Sequence, residues 1–134
     1  MVLNVEPRLR VFPAEPRSIP EARTWAGRQL TDIGVPSETV ERAELLVSEL
    51  TGNVVRHTTS DQFVVRLDIQ DGVEVGVHDE DPVARPESRR EPQLLDLSGR
   101  GMLVIANVAD AWAVEPTSTG KWVRVLIDEP VPRG

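Results

Sequence analysis

The sequence predicts an α+β fold: a two-layer sandwich in which a mixed, mostly antiparallel sheet carries about three helices on one face. Three observations lead there. Two stretches of helical periodicity lie near the N-terminus, a confident pair of alternating stretches follows, and one more apolar helical stretch precedes two closing strands. At 134 residues the chain is long enough to bury a real core but too short for two domains, so a single domain over residues 1–134 is expected.

Leu3 to Phe12 mixes alternating apolar residues with charge and contains Pro7, which suits an irregular or edge strand. After the breakers Pro13 and Pro16, Ser18-Ile19-Pro20-Glu21 pairs a serine with a glutamate three residues on, with proline in the first turn. That pattern predicts a capping box and a helix start. The helix carries Ala22, Trp25, Ala26 and Leu30 at helical spacing and stops at Gly34. Val35-Pro36-Ser37 resets the chain, and Glu38 and Glu41 suit the positive end of a second helix. Its buried stripe is Val40, Ala43, Val47, Leu50 and Val54.

Beyond it the period becomes two. Phe63, Val65, Leu67 and Ile69 alternate with Val64, Arg66 and Asp68, Asp71-Gly72 offers a turn, and Val73, Val75 and Val77 alternate again, which predicts a hairpin. The segment from Glu80 to Leu97 is rich in proline and charge and longer than most connections in a compact domain. A third helix follows Ser98-Gly99-Arg100-Gly101, and strands at Trp112 to Glu115 and Trp122 to Asp128 flank a turn at Thr117 to Gly120.

Composition narrows the function classes. Hydrophobic residues make up 40% and charged residues 28%, and no apolar run approaches the roughly eighteen residues that span a bilayer, so no membrane association is expected. Glu6, Pro7, Arg8 and Arg10 interrupt any secretory signal, which makes the cytoplasm the expected compartment. With no cysteine there is neither a disulfide framework nor a thiolate zinc site. A net charge of -7 argues against direct nucleic-acid binding, since phosphate contacts need concentrated positive charge. Arg89 and Arg90 stand between Glu87 and Glu91 and read as a solvated loop.

Three clusters carry chemistry. Glu49, Asn53 and His57 fall four apart on the second helix, a slanting polar line beside Leu46, Leu50 and Val54. A carboxylate and a carboxamide so placed can hold a hydroxyl and a hard metal ion side by side, and a solvated helix edge is the alternative. Gly52 within this helix costs on the order of 1 kcal/mol against alanine and marks close packing or the approach of a ligand. Asp79 stands where a strand runs out into the long loop, placed either to accept a hydrogen bond from an amine or to cap a turn. Gly99, Arg100 and Gly101 open an apolar helix, where exposed N–H groups, the helix dipole and a guanidinium favour an anion.

In order and spacing, these pieces resemble the histidine-kinase-like ATPase superfamily. The likeness rests on Glu49-x-x-x-Asn53 with His57, Asp79 after a strand, Ser98-Gly99-Arg100-Gly101-Met102 before Leu103-Val104-Ile105-Ala106-Asn107, Ala111-Trp112-Ala113-Val114, and Gly120-Lys121 before the last strand. It covers about Arg17 to Asp128 and is strongest to the small anti-sigma factor serine kinases and related actinobacterial regulators. The resemblance implies a Bergerat fold binding ATP and Mg²⁺. Asn53 would coordinate the Mg²⁺, Glu49 would act as general base or orient the attacking hydroxyl, and Asp79 would accept from the adenine amino group. Gly99, Arg100 and Gly101 would wrap the phosphates, His57 would complete the cofactor-binding set, and the segment at about 80–97 would form a mobile lid. The implied function is an anti-sigma factor with protein-serine kinase activity, switching between a sigma factor and a STAS-type anti-sigma antagonist. A homodimer through the N-terminal strand is also in keeping with the family.

The chain departs from the pattern in three places, the first being Gly52 before Asn53, where threonine is frequent. The first glycine box of the superfamily usually reads Asp-x-Gly-x-Gly, and here it is Asp79-Glu80-Asp81-Pro82-Val83. Trp122 stands about where a threonine or serine near the adenine is usual, so a bulky indole is expected to narrow the adenine pocket. These departures support a second expectation, a non-catalytic regulatory binding module with a degenerate nucleotide site.

Overall fold

The structure, a computed structural model, describes residues 6–80, 105 and 107–128. Its elements run β1 (Arg8–Pro13), α1 (Ser18–Ile33), α2 (Ser37–His57), β2 (Gln62–Ile69), β3 (Val73–Asp79), β4 (Ala111–Pro116) and β5 (Lys121–Ile127). The strands form one sheet in the order β1-β2-β3-β5-β4, with every neighbouring pair antiparallel. This is the expected α+β sandwich. Residues 105, 107 and 108 are helical, and the Ala109 N–H bonds the Ile105 carbonyl at 2.8 Å, where the third helix was expected to end. The expected lid at 80–97, apart from Glu80, lies outside the described residues, as do Gly99, Arg100 and Gly101.

The two faces of the sheet differ because side chains alternate along each strand. Phe63, Val65, Leu67 and Ile69 of β2, Val73, Val75 and Val77 of β3, and Val123, Val125 and Ile127 of β5 point to one face and are buried there. Burial of each such side chain contributes about 1.5–3 kcal/mol. The helices supply the matching stripe. Val40, Ala43, Val47, Leu50 and Val54 of α2 are buried as the spacing predicts, and α2 lies over β3 and β5. Phe12 of β1 closes the other side of the core, stacked on Phe63 at 5.5 Å and edge-on to Trp25 of α1 at 6.1 Å.

Helix α1 stops as predicted but starts differently. Gly34 adopts φ 99°, a left-handed conformation that glycine takes without strain, and Val35 donates back to the Leu30 carbonyl at 3.0 Å. At the other end the capping box is not formed. Ser18 is the first helical residue, Arg17 holds the cap position, and no side chain caps the helix. The reason is local: the backbone N–H groups of Ser18 and Ile19 already bond the Glu15 and Pro16 carbonyls, so the hydroxyl is not needed there. The hairpin turn is also one residue longer than the Asp71-Gly72 pair, because Ile69 pairs with Val73 and leaves Gln70, Asp71 and Gly72 between them.

Arg42 of α2 ties down the end of the third helical stretch. It donates to the Val108 carbonyl and lies 3.7 Å from the Asp110 carboxylate, at the helix end where a cation is favoured.

Candidate functional site

The site is assembled at one end of the sheet by the chain's own path. From the last turn of α2 the chain passes through residues 58–61 into β2, so the helix terminus and the start of β2 share that end. Phe63 of β2 is opposite Asp79, the last residue of β3, and Asp79 is in turn opposite Lys121, the first residue of β5. Two contacts fasten the corner: the Glu80 N–H donates to Ser60 Oγ at 2.9 Å, and Gln62 Nε2 donates to Glu80 Oε1 at 2.9 Å.

Asn53 is buried on the site-forming half of α2, and its Oδ1 accepts from Arg56 Nη2 at 3.4 Å. Glu49 lies one turn before it and is half-buried, while His57 is the last helical residue and is exposed. The order along the helix is the one predicted, with burial falling from Asn53 towards the terminus. Gly52 has a specific neighbour. A Cβ added there would meet the Arg56 guanidinium at 2.9 Å, so the missing side chain leaves room for an arginine that leans back along the helix.

Asp79 is buried at 2%, an uncommon position for a carboxylate without a partner cation. The cation is Lys121, whose Nζ lies 2.9 Å from Asp79 Oδ2. Lys121 shares strand parity with Val123, Val125 and Ile127, so it points to the helix-covered face. Sequence reasoning overlooked this residue and Arg56. For Lys121 the signal was available, since counting back in twos from Ile127 places it inward.

The same count corrects the expectation for Trp122. Its indole lies on the opposite face of the sheet, above Gly76, where an added Cβ would meet the ring at 3.3 Å, and beside His78 at 5.0 Å between ring centres. It therefore does not narrow a pocket under the helices. His78 shares a 3.0 Å hydrogen bond with Thr117, and Arg124 on that face spans Glu74 and Glu115.

The described residues fit a magnesium nucleotide by the chemistry of their donors. Asn53 offers a carboxamide oxygen and Glu49 a carboxylate, both hard ligands suited to Mg²⁺. Among the described residues no group of three or more His, Cys, Asp or Glu could hold a metal by itself, so an ion here would take its other ligands from phosphates and water. A shallow groove beside β1, lined by Arg10, Trp25, Arg28 and Gln29, contains none of the candidate residues.

Fold and site together define a two-layer α+β domain with a polar corner between a helix terminus and the sheet. The profile of the histidine kinase-like ATPase domain matches residues 12–127, and the chain belongs to that family. Membership implies nucleotide binding. Solved structures share the fold, among them the following two. The RsbU and RsbW domains of Rv1364c from Mycobacterium tuberculosis match with a TM-score of 0.67 at 15% identity, over 91% of this chain and 32% of that one. The histidine kinase domain of the blue-light activated histidine kinase from Erythrobacter litoralis EL346 matches with a TM-score of 0.51 at 25% identity, over 72% of this chain and 46% of that one. This chain thus spans about a third to a half of the chains it resembles. No curated protein matches it in sequence. Among the described residues no helix is long and apolar enough to cross a membrane.

Proposed function

We propose that this domain binds ATP with Mg²⁺ and acts as an anti-sigma factor with protein-serine kinase activity, switching between a sigma factor and a STAS-type antagonist that it phosphorylates. The observation that carries the reading is the placement of Glu49 and Asn53 on α2 at the same end of the sheet as Asp79, within a histidine kinase-like ATPase domain. The fold likeness to a chain described as containing an RsbW domain supports the branch of the family.

In this reading Asn53 holds the metal through its carboxamide oxygen, and Asp79 accepts from the exocyclic amine of the base. Bound Mg²⁺ and ATP supply the transferable phosphoryl group and the charge neutralisation. Glu49 orients the serine hydroxyl and takes its proton on the carboxylate. Arg56, beside Asn53, adds positive charge at the helix edge facing the phosphates.

Two experiments test the proposal. Calorimetry with ATP and Mg²⁺ should give saturable binding and a raised melting temperature, and no response at millimolar nucleotide would leave only a partner-binding module. Radiolabel from γ-labelled ATP should pass to a serine of the protein that co-purifies with the chain. Glu49→Ala should lower that transfer by at least about 100-fold, and an unchanged rate would remove Glu49 from its role.

A further inference from the structure

Strand β1 forms one edge of the sheet, and among the described residues nothing pairs with its outer side. An edge strand leaves every second backbone N–H and C=O unmatched, and proteins commonly blunt such edges with charge or proline. Here Pro7 and Pro13 stand at the two ends, while between them Leu9 and Val11 are 56% and 54% exposed, the most open large apolar side chains among the described residues. Both lie on the face away from the helices, where Val64 of β2 stands beside Val11. Arg8, Arg10 and Phe12 alternate with them and lie on the helix side. There a groove between β1 and α1 is lined by Arg10, Arg28, Gln29 and the half-buried Trp25, with Glu21 about two turns of helix before Arg28. Arg8 donates to Gln29 Oε1 at 2.5 Å, and Arg10 rests over the Phe12 ring at 4.8 Å. Neither Arg10 nor Arg28 has an ion pair or hydrogen bond among the described residues. Residues 8–28 hold five arginines and two glutamates in a chain of net charge -7, so positive charge is concentrated where the backbone edge is open.

We propose that the open edge of β1 receives an extended acidic segment of a partner protein as an added strand. Its backbone completes the ladder, its carboxylates lie on the helix side against Arg10 and Arg28, and the apolar residues alternating with them cover Leu9 and Val11. The two faces of one strand thus ask for two kinds of side chain, acidic on one and apolar on the other. A second copy of this chain meets the edge less well, because pairing two β1 strands brings the arginines of both copies onto one face, like charge beside like charge. The inference stands apart from nucleotide binding, since the groove contains none of the residues proposed for ATP.

The test titrates the full chain into a fluorescein-labelled peptide that alternates glutamate with valine, read by fluorescence anisotropy. Binding should saturate, and Arg10→Glu or Arg28→Glu should weaken it at least about tenfold, the effect of losing one charge-assisted contact. Amide hydrogen exchange of β1 should slow when the peptide is bound. Two further versions of the peptide carry methyl groups on alternate backbone nitrogens, one on those of valine and one on those of glutamate. One should lose binding and the other keep it, because strand addition uses a single set of N–H groups. Equal affinity of the two methylated versions overturns strand addition, and so does a peptide of alternating lysine and valine that binds as well as the acidic one. No binding at millimolar peptide overturns the proposal outright. Sedimentation as a dimer whose β1 amides are already protected without peptide would give the edge to a second copy instead. Should a melting curve show that Arg10→Glu does not fold, Arg28→Glu and the methylated peptides on the unsubstituted protein decide the matter.

Discussion

Gly120 lies directly against the backbone of Asp79: a Cβ placed on it would stand 1.8 Å from the Asp79 carbonyl oxygen. The turn before β5 can therefore reach the end of β3 only without a side chain at this position. The neighbour is backbone on a paired strand and cannot swing aside as a flexible side chain would. Gly120→Ala should lower stability by about 1–3 kcal/mol, read as an earlier urea midpoint with an unchanged slope. It should also weaken nucleotide binding, because any relief of the clash moves Asp79 relative to Lys121.

Asp79→Asn keeps the shape of the side chain and removes its charge. The Lys121 ammonium, mostly buried, would then face a neutral amide. Thermal unfolding should show a loss of about 1–3 kcal/mol. In the double variant Asp79→Asn with Lys121→Met the stranded cation is gone, so part of that loss should return. Strict additivity of the two single effects would mean the pair is not coupled.

Gly52→Ala should act in the opposite direction. Alanine favours a helix interior over glycine by about 1 kcal/mol, and the atom in its way is the tip of a flexible arginine. The expected result is a melting temperature higher by about 3 °C, accompanied by displacement of Arg56 from Asn53. A melting temperature that falls would show that the Arg56 position is fixed by more than the space above Gly52.

Arg124→Met removes a guanidinium that spans Glu74 on β3 and Glu115 on β4 at 2.8–3.1 Å. The group is more than a third exposed, so a loss of no more than about 1 kcal/mol is expected, larger at low ionic strength. Hydrogen bonds to Glu74, and then to Glu115, hold the Arg124 guanidinium above its ordinary range. A cation with a raised folded-state value contributes fully below the unfolded value, and the contribution is lost only as pH rises past it. Both lie far above neutrality, so the difference between Arg124→Met and the unsubstituted protein in urea unfolding should not change with deprotonation of Arg124 between pH 6 and 9.

Much of the layout was legible from local pattern. Gly34 ended α1 because a left-handed position suits glycine, and the alternation from Phe63 to Val77 assigned the buried face of two strands before any contact was known. The buried stripe of α2 followed from spacing alone, and with it the line from Glu49 through Asn53 to His57. What escaped depended on register and on the third dimension. Whether Lys121 or Trp122 faces the helices turns on a shift of one residue, which in a strand exchanges the two faces, and a comparison by motif placed the wrong one inward. The unformed cap at Ser18 depended on a preceding turn whose carbonyls had already met the helix amides. Arg56 was passed over because its contact with Asn53 follows from the room above Gly52.

The order of the strands has a kinetic consequence. β2 pairs with β3, and β4 with β5, across short turns, but the β1–β2 seam joins Arg8 to Leu67 and the β3–β5 seam joins Asp79 to Lys121 across long intervening stretches of chain. Closing such distant pairings carries a loop-entropy cost that the two local hairpins escape, so both seams are expected to form late in folding and open early in unfolding. The Asp79 and Lys121 ion pair sits at the end of the β3–β5 seam. A ligand bound against that pair would act as a staple between the two hairpins, slowing their separation as well as occupying the site.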